Sequence, residues 1–130
     1  MVGLLPQTEK IQVTVLGRCL VGIVFPSFVT VRGIDDYYRS LLEALRLQPG
    51  ASRLIVDMSR VQKVQLGAPI EASKWLPKTK KFSSRVAIYG LKPWLRGMLQ
   101  SVLTISMRDD IKVFLTKTES EHWITLRTPH

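Results

Sequence analysis

Gly67 and Gly90 are the residues around which this 130-residue chain could build a site. Each comes after an unbroken apolar run, Leu54-Ile55-Val56 or Val86-Ala87-Ile88-Tyr89, and each precedes a helix-like pattern. Free N–H groups and the helix dipole make such openings receptive to anions, and Lys92 stands beside the second. A phosphate or lipid headgroup could bind across Gly67, Ala68, Gly90 and Lys92; the same residues also make ordinary α/β turns. Gly-x-x-x-x-Gly-Lys is absent, so nucleotide hydrolysis is not expected. Trp94, with Lys92 and Arg96, fits an interfacial contact to a membrane or a protein, or a place in the core. Trp75 reads as core.

Catalysis has little to work with. Ser59, His122 and Asp57 make a Ser–His–Asp set on paper, but nothing in their spacing requires it. Asp57 reads more simply as a turn carboxylate that bonds backbone N–H groups. His122 and His130 have no metal-pair spacing. No catalytic residue, metal or cofactor is therefore assigned.

The elements that position these residues follow from hydrophobic patterning. Leu54 to Val56 has no polar interruption, as a strand buried on both faces requires. Upstream, Ile11, Val13 and Val15 alternate with Gln12 and Thr14, a strand with one wet face. Gly17-Arg18 is a turn, and Cys19 to Phe25 is a second strand paired antiparallel to the first. Cys19, the single cysteine, is expected to be a small buried hydrophobe. A first helix is expected from Asp35, with Ile34, Tyr38, Leu41, Leu42 and Leu45 on one face, Asp35–Arg39 and Arg39–Glu43 pairs along it, and Gln48-Pro49-Gly50 as its stop. The Gly67 helix carries Ile70, and its inward face holds Ala68, Ala72, Trp75, Leu76, Thr79 and Phe82. Lys74, Lys78 and Lys81 lie on its outer side. Pro77 should kink or end it near Leu76; if it continues, the lysines form a stripe, and otherwise a basic loop.

Val86 to Tyr89 is an interior strand. Pro93 sits in the first turn of a third helix, with Leu95, Met98, Leu99 and Val102 buried. Arg108-Asp109-Asp110 is turn-like. Ile111, Val113 and Leu115 begin an edge strand, and Thr118-Glu-Ser-Glu121 reads as the capping box of a final helix holding Trp123 and Leu126. The fold class is α/β: one domain over residues 1–130, with a mixed, mostly parallel five-stranded sheet and four helices. Residues 1–9 and 128–130 are expected to be loose.

The net charge of +9 is the unusual bulk property. Seven basic residues and no acidic one lie between Ala72 and Met107, which attracts nucleic acid, phospholipid headgroups or acidic proteins, or is simply a solvated surface. Nucleic acid binding lacks a motif, and the aromatics are taken by the core. Without a signal-peptide pattern, a membrane-length apolar run or paired cysteines, a reducing cytoplasmic setting is expected.

Several stretches resemble the SpoIIAA-like family, small bacterial proteins related to STAS domains and compared with CRAL-TRIO lipid-transfer domains. They are Val56-Asp57-Met58-Ser59-Arg60-Val61, the Gly67 helix, Arg85-Val86-Ala87-Ile88-Tyr89-Gly90, Pro93-Trp94-Leu95, the Asp110–Phe114 strand and Glu121-His122-Trp123-Ile124. The resemblance covers most of the chain, most clearly from Arg53 to Ile124. It implies a helix-backed α/β sheet without enzymatic activity. In the STAS antagonists of sigma-factor regulation, an Asp-Ser-Ser-Gly segment opens the next helix and a kinase phosphorylates its first serine. Aligned on Asp57 and Val61, those positions are Gln65, Leu66, Gly67 and Ala68 here. Leu66 has no hydroxyl, so this chain departs from the phosphoswitch.

The combined reading is a regulatory or interaction module. It docks a protein partner, or a small anionic or lipid ligand, through Gln65, Leu66, Gly67, Ala68, Gly90, Lys92 and Trp94. An antagonist-like protein without its serine is the first alternative. A peripheral binder of anionic membrane or nucleic acid, using Lys74, Lys78, Lys81 and Arg96, is the second. A homodimer is left open.

Overall fold

The computed structural model describes residues 10–106 and 110–126. Along the chain its elements are β1 (Gln12–Gly17), β2 (Leu20–Val24), β3 (Phe28–Val29), α1 (Val31–Arg46), β4 (Ser52–Asp57), β5 (Lys63–Val64), α2 (Ala68–Thr79), β6 (Ser83–Tyr89), α3 (Pro93–Ser106), β7 (Ile111–Phe114) and α4 (Lys117–Thr125). The apolar run Leu54–Val56 lies in the middle strand of a five-stranded sheet ordered β1-β2-β4-β6-β7. β1 and β2 pair antiparallel, and the other neighbours pair parallel. The sheet is therefore mixed, as the opening hairpin requires.

Strand alternation divides the side chains between two layers. Leu54, Val56, Val86 and Ile88 face α1, α2 and α3, together with Tyr38, Leu41 and Leu95. Arg53 and Arg85, cross-strand neighbours, face the other way and meet α4. Ala87 on that second face is fully buried. Phe25, Tyr37, Tyr38 and Trp75 form an aromatic chain, closing with a parallel stack of Tyr38 on Trp75 at 5.6 Å.

The ends of elements depart from the sequence reading in instructive ways. Cys19 is a turn residue with φ of 54°, half-buried, and its N–H donates to Gln48 Oε1 at 2.9 Å. It is not a core hydrophobe, because Gly17 pairs directly with Leu20 and leaves Arg18 and Cys19 to make the turn. Helix α1 begins at Val31, four residues before the expected start at Asp35. The Thr30 hydroxyl accepts from Gly33 N at 2.9 Å and caps it, and a capped boundary outweighs a favourable charge further in. Asp35, freed from that role, accepts the Trp75 indole N–H at 2.9 Å.

Between Asp57 and Gly67 the chain adds β5, which pairs in parallel with β3. Two-residue strands leave no readable periodicity, so neither is visible in the sequence. Helix α2 continues through Pro77 to Thr79, and a single 3₁₀ turn over Lys80–Phe82 leads into β6. The three lysines are thus a stripe and not a loop. Ile70 is 67% exposed, whereas Ala68 and Thr79 are buried as expected.

The capping box of α4 is Thr116 with Glu119, two residues before the expected Thr118–Glu121 pair. Both pairs satisfy the spacing, and the end of β7 at Phe114 selects the first. Ile124 anchors this helix at 2% exposure, while Leu126 lies past its end and is exposed. Leu115 is likewise exposed, beyond the edge strand β7. The expectations for residues 1–9 and 128–130, for Arg108 and Asp109, and for His130 fall outside the described residues.

Ser52, fully buried at the start of β4, has a hydroxyl with no hydrogen-bond partner among the described residues. A buried unsatisfied hydroxyl costs about 1–3 kcal/mol. Ser52→Ala is therefore expected to raise stability by about 1 kcal/mol in urea unfolding, with the slope unchanged. An unchanged or lower midpoint would contradict this account of the residue.

Candidate functional site

Because β2, β4 and β6 run parallel, the starts of α1, α2 and α3 gather at one rim, beyond the carboxyl ends of those strands. Open α/β sheets place ligand and partner sites at this rim. Both glycine openings lie there. They are built differently.

At the Gly90 opening the groups bond to one another. Asp57 Oδ1 accepts from Ser59 N at 2.8 Å and from the Ser59 hydroxyl at 2.6 Å, closing the turn after β4 as expected of a turn carboxylate. Gly90 has φ of 83°, and a Cβ there would sit 2.7 Å from Ser59 N. The Lys92 ammonium donates to Val61 O at 2.7 Å and to Ser59 O at 3.3 Å. Lys92 thus fastens the 59–61 turn over the opening, which the sequence alone did not show. Its neighbour Trp94 is 46% exposed on the first turn of α3.

Tyr89 pairs in register with Asp57. Burial, with the nearby Asp57 carboxylate adding to it, pushes the Tyr89 phenol up to about 12. Folding therefore favours neutral Tyr89. Its contribution to stability is complete below the ordinary value of about 10 and is lost as pH rises through the folded value. Ultraviolet titration should show a phenol ionising near 12 that is absent in Tyr89→Phe. In Asp57→Asn its midpoint should fall but stay above 10, since burial is the larger cause. Complete ionisation by pH 11 in the unaltered protein would refute the assignment.

At the Gly67 opening the chain is more exposed. Gly67 takes φ of 99° as the N-cap of α2. Gln65 is occupied with the frame: its Oε1 accepts from Val31 N at 2.8 Å, at the start of α1, and its own N–H donates to Val29 O at 2.8 Å. Ala68 is buried beneath. Between them Leu66 projects at 97% exposure, and Ile70 follows one turn on. A groove of ≈ 220 Å³ runs between α2 and α3, walled by Pro69, Ile70, Ser73, Met98, Ser101 and Val102. Thus Leu66, Ile70 and Trp94 remain as large apolar contacts, while Gln65, Ala68 and Lys92 serve the fold.

Lys74 and Lys78 lie on α2, and Lys81 on the 3₁₀ turn that continues it. Lys74 lies 3.4 Å from Glu71, Lys78 lies over Trp75 and Lys81 over Phe82. All three are exposed; Arg96 is exposed on a different helix, α3. Hydrogen bonds from the Glu71 carboxyl and then from the Trp75 indole hold the Asp35 carboxyl below its ordinary value. That contribution to stability is present above pH about 4 and is lost as pH falls through the lowered value.

The arrangement is a mixed α/β sheet backed by three helices on one face, with a loop–helix opening after its central strand. Comparison of solved structures gives the fold its name. An uncharacterised protein of the DUF3478 family from Shewanella loihica, described as having a SpoIIAA-like fold, superposes with a TM-score of 0.65 at 17% identity, over 88% of this chain and 91% of that one. The anti-sigma factor antagonist SpoIIAA, in its unphosphorylated form, gives 0.62 at 11% identity, over 88% and 96%. SLC26A9 gives 0.63 at 13% identity, over 91% of this chain and 24% of that much longer one. No family model and no curated protein match the sequence. The fold is SpoIIAA-like, as the sequence motifs implied.

Proposed function

We propose that this chain is a non-enzymatic interaction module that docks a protein partner at the carboxyl rim, with Leu66 at the centre of contact, Ile70 beside it, and Trp94 contributing from α3. The observation that carries this reading is the 97% exposure of Leu66 at the opening of α2. The resemblance to the STAS antagonists puts the phosphorylated serine at that position. A leucine there supplies apolar contact and no hydroxyl, so phosphorylation at this residue cannot regulate docking. The likeness to SpoIIAA, an anti-sigma factor antagonist solved both without and with phosphate, supports a protein as the partner. An anionic or lipid headgroup is the weaker reading, since the Lys92 ammonium is already donated to Ser59 and Val61.

Affinity capture from the source organism, with wild-type and Leu66→Glu proteins in parallel, tests this. Burying a leucine is worth about 1.5–3 kcal/mol, so Leu66→Glu should weaken an identified partner by about tenfold or more. Leu47→Glu supplies the control, because Leu47 is 81% exposed at the far end of α1. Equal loss in both variants, or in neither, would discard the rim as the docking surface. The second reading, a peripheral binder of anionic surfaces, is favoured by the exposed Lys74, Lys78 and Lys81. It predicts binding to anionic vesicles that salt abolishes.

A further inference from the structure

The five-stranded sheet ends in β1 on one side and β7 on the other, and the two edges are not alike. β7 is four residues long, carries the exposed Lys112, and packs on α4 through Phe114 and Trp123, whose rings lie 5.6 Å apart. β1 is six residues long and pairs only with β2. An edge strand turns alternate pairs of N–H and C=O groups outward, and proteins blunt such edges with charges, proline or a bulge. Residues 11–17 include no charge and no proline. A bulge is present at Leu16, but it sits at the turn end and leaves residues 12–15 in regular register.

The side chains of this edge are open as well. Val13 and Val15 lie opposite Ile23 and Val21, both buried in the core, so they point into the same layer. Cover runs out along them: Ile11 is buried, Val13 half-buried and Val15 51% exposed. On the other face Leu16 lies across Gly22, where a Cβ would meet its Cδ1 at 2.8 Å, and it too stays exposed. A sixth strand would cover both faces. The ends of the edge say what kind of strand fits. Lys10 and Arg18 bracket the uncharged segment, and both are exposed. A second copy paired antiparallel about Thr14 would bring Lys10 towards Arg18 at each end, and two chains of +9 repel besides. A strand with acidic ends meets opposite charge in either direction.

We propose that β1 is a strand-addition site, which takes an extended segment of another protein with alternating apolar residues between acidic ends. Main-chain bonds to the open edge supply the affinity, and the side chains beside Val15 and Leu16 and the charges at Lys10 and Arg18 supply the selection. The site rests on β1 alone and does not depend on the docking surface at Leu66.

The test uses the full chain with labelled amides and the synthetic peptide Glu-Thr-Val-Thr-Val-Thr-Val-Glu. Binding should slow amide exchange over residues 12–15 and give backbone magnetisation transfer from the peptide to β1, with β7 unaffected. The same peptide N-methylated at every amide keeps its charges but cannot join a ladder, and should not bind. Reversing both flanking charges, Lys10→Glu with Arg18→Glu, should weaken the acidic peptide by about tenfold and strengthen one that ends in lysines. No binding, contacts confined to Lys74, Lys78 and Lys81, equal binding of the N-methylated peptide, or undiminished binding in the folded double variant would overturn the proposal. So would a dimer in sedimentation with β1 at its interface, or β1 amides all protected in the free monomer, since the edge would then already be taken. Should the double variant not fold, the N-methylated peptide and the contact pattern in the unaltered protein decide the matter. Leu66→Glu should bind the peptide as the unaltered protein does, which separates this site from the docking reading.

Discussion

Gly90→Ala is expected to lower the stability of this protein by about 3 kcal/mol, with a fall in melting temperature of about 10 °C. Two effects add. A side chain at φ of 83° sits in the left-handed region, which costs about 1–2 kcal/mol. The new Cβ would also meet Ser59 backbone, at 2.7 Å from N and 2.9 Å from Cα. Backbone cannot swing aside as a flexible side chain can. The turn would have to lift, breaking the bonds of Lys92 to Ser59 and Val61 and straining the Asp57–Ser59 turn. Gly67→Ala is the internal comparison. Its φ of 99° is equally unsuited to alanine, but its Cβ would meet only the Val31 side chain at 3.5 Å, an ordinary contact. It should cost about 1–2 kcal/mol, the conformational part alone. Chemical unfolding of both variants checks the contrast, and equal losses would mean that the contact with Ser59 contributes nothing.

The second large effect is expected on the opposite face of the sheet. Arg85 Nη1 donates to Trp123 O at 2.9 Å and Leu126 O at 3.0 Å, while Arg53 Nη1 donates to Ile124 O at 3.0 Å. The last carbonyls of a helix have no partners within it and carry its negative dipole end. Two neighbouring arginines therefore hold α4 onto β4 and β6, and the Arg85 guanidinium also lies over the Trp123 ring at 5.3 Å. Hydrogen bonds from charged groups contribute about 1.5–3 kcal/mol, and water can replace part of this at the exposed Leu126 end. Arg85→Ala should thus cost about 2–3 kcal/mol. Arg85→Lys should recover only part of the loss, because an ammonium lacks the planar fork. Amide exchange offers the specific readout: protection over Ser120–Leu126 should fall while α1 stays protected. Unaltered protection of α4 would show that Ile124 and Trp123 hold the helix without the arginines.

The architecture was legible to the extent that it depends on patterns within one segment. Leu54–Val56 and Val86–Tyr89 announced interior strands, since an unbroken apolar run loses contact with water favourably only when both faces are covered. The glycines at 67 and 90 announced helix openings, and both take positive φ. The order of elements and the motifs around Asp57, Gly90 and Trp94 pointed to the SpoIIAA-like fold. Boundaries were less legible where a signal is degenerate. Thr116 and Thr118 stand equally far from a glutamate, and only the end of β7 chooses between them. Exposure at the rim was not legible: nothing in the local pattern separates Leu66 and Ile70, 97% and 67% exposed, from the apolar residues that the sheet covers.

What the sequence determined by itself was which segments are desolvated and where the backbone turns, because burial patterning and left-handed conformations are local properties of side chain and backbone. Only the tertiary structure decided which charges are spent and which surfaces remain free. Lys92 is committed to carbonyls about thirty residues away in sequence, Arg85 to the end of α4, and Gln65 to the start of α1. Such bonds depend on how strands align and helices return across the sheet.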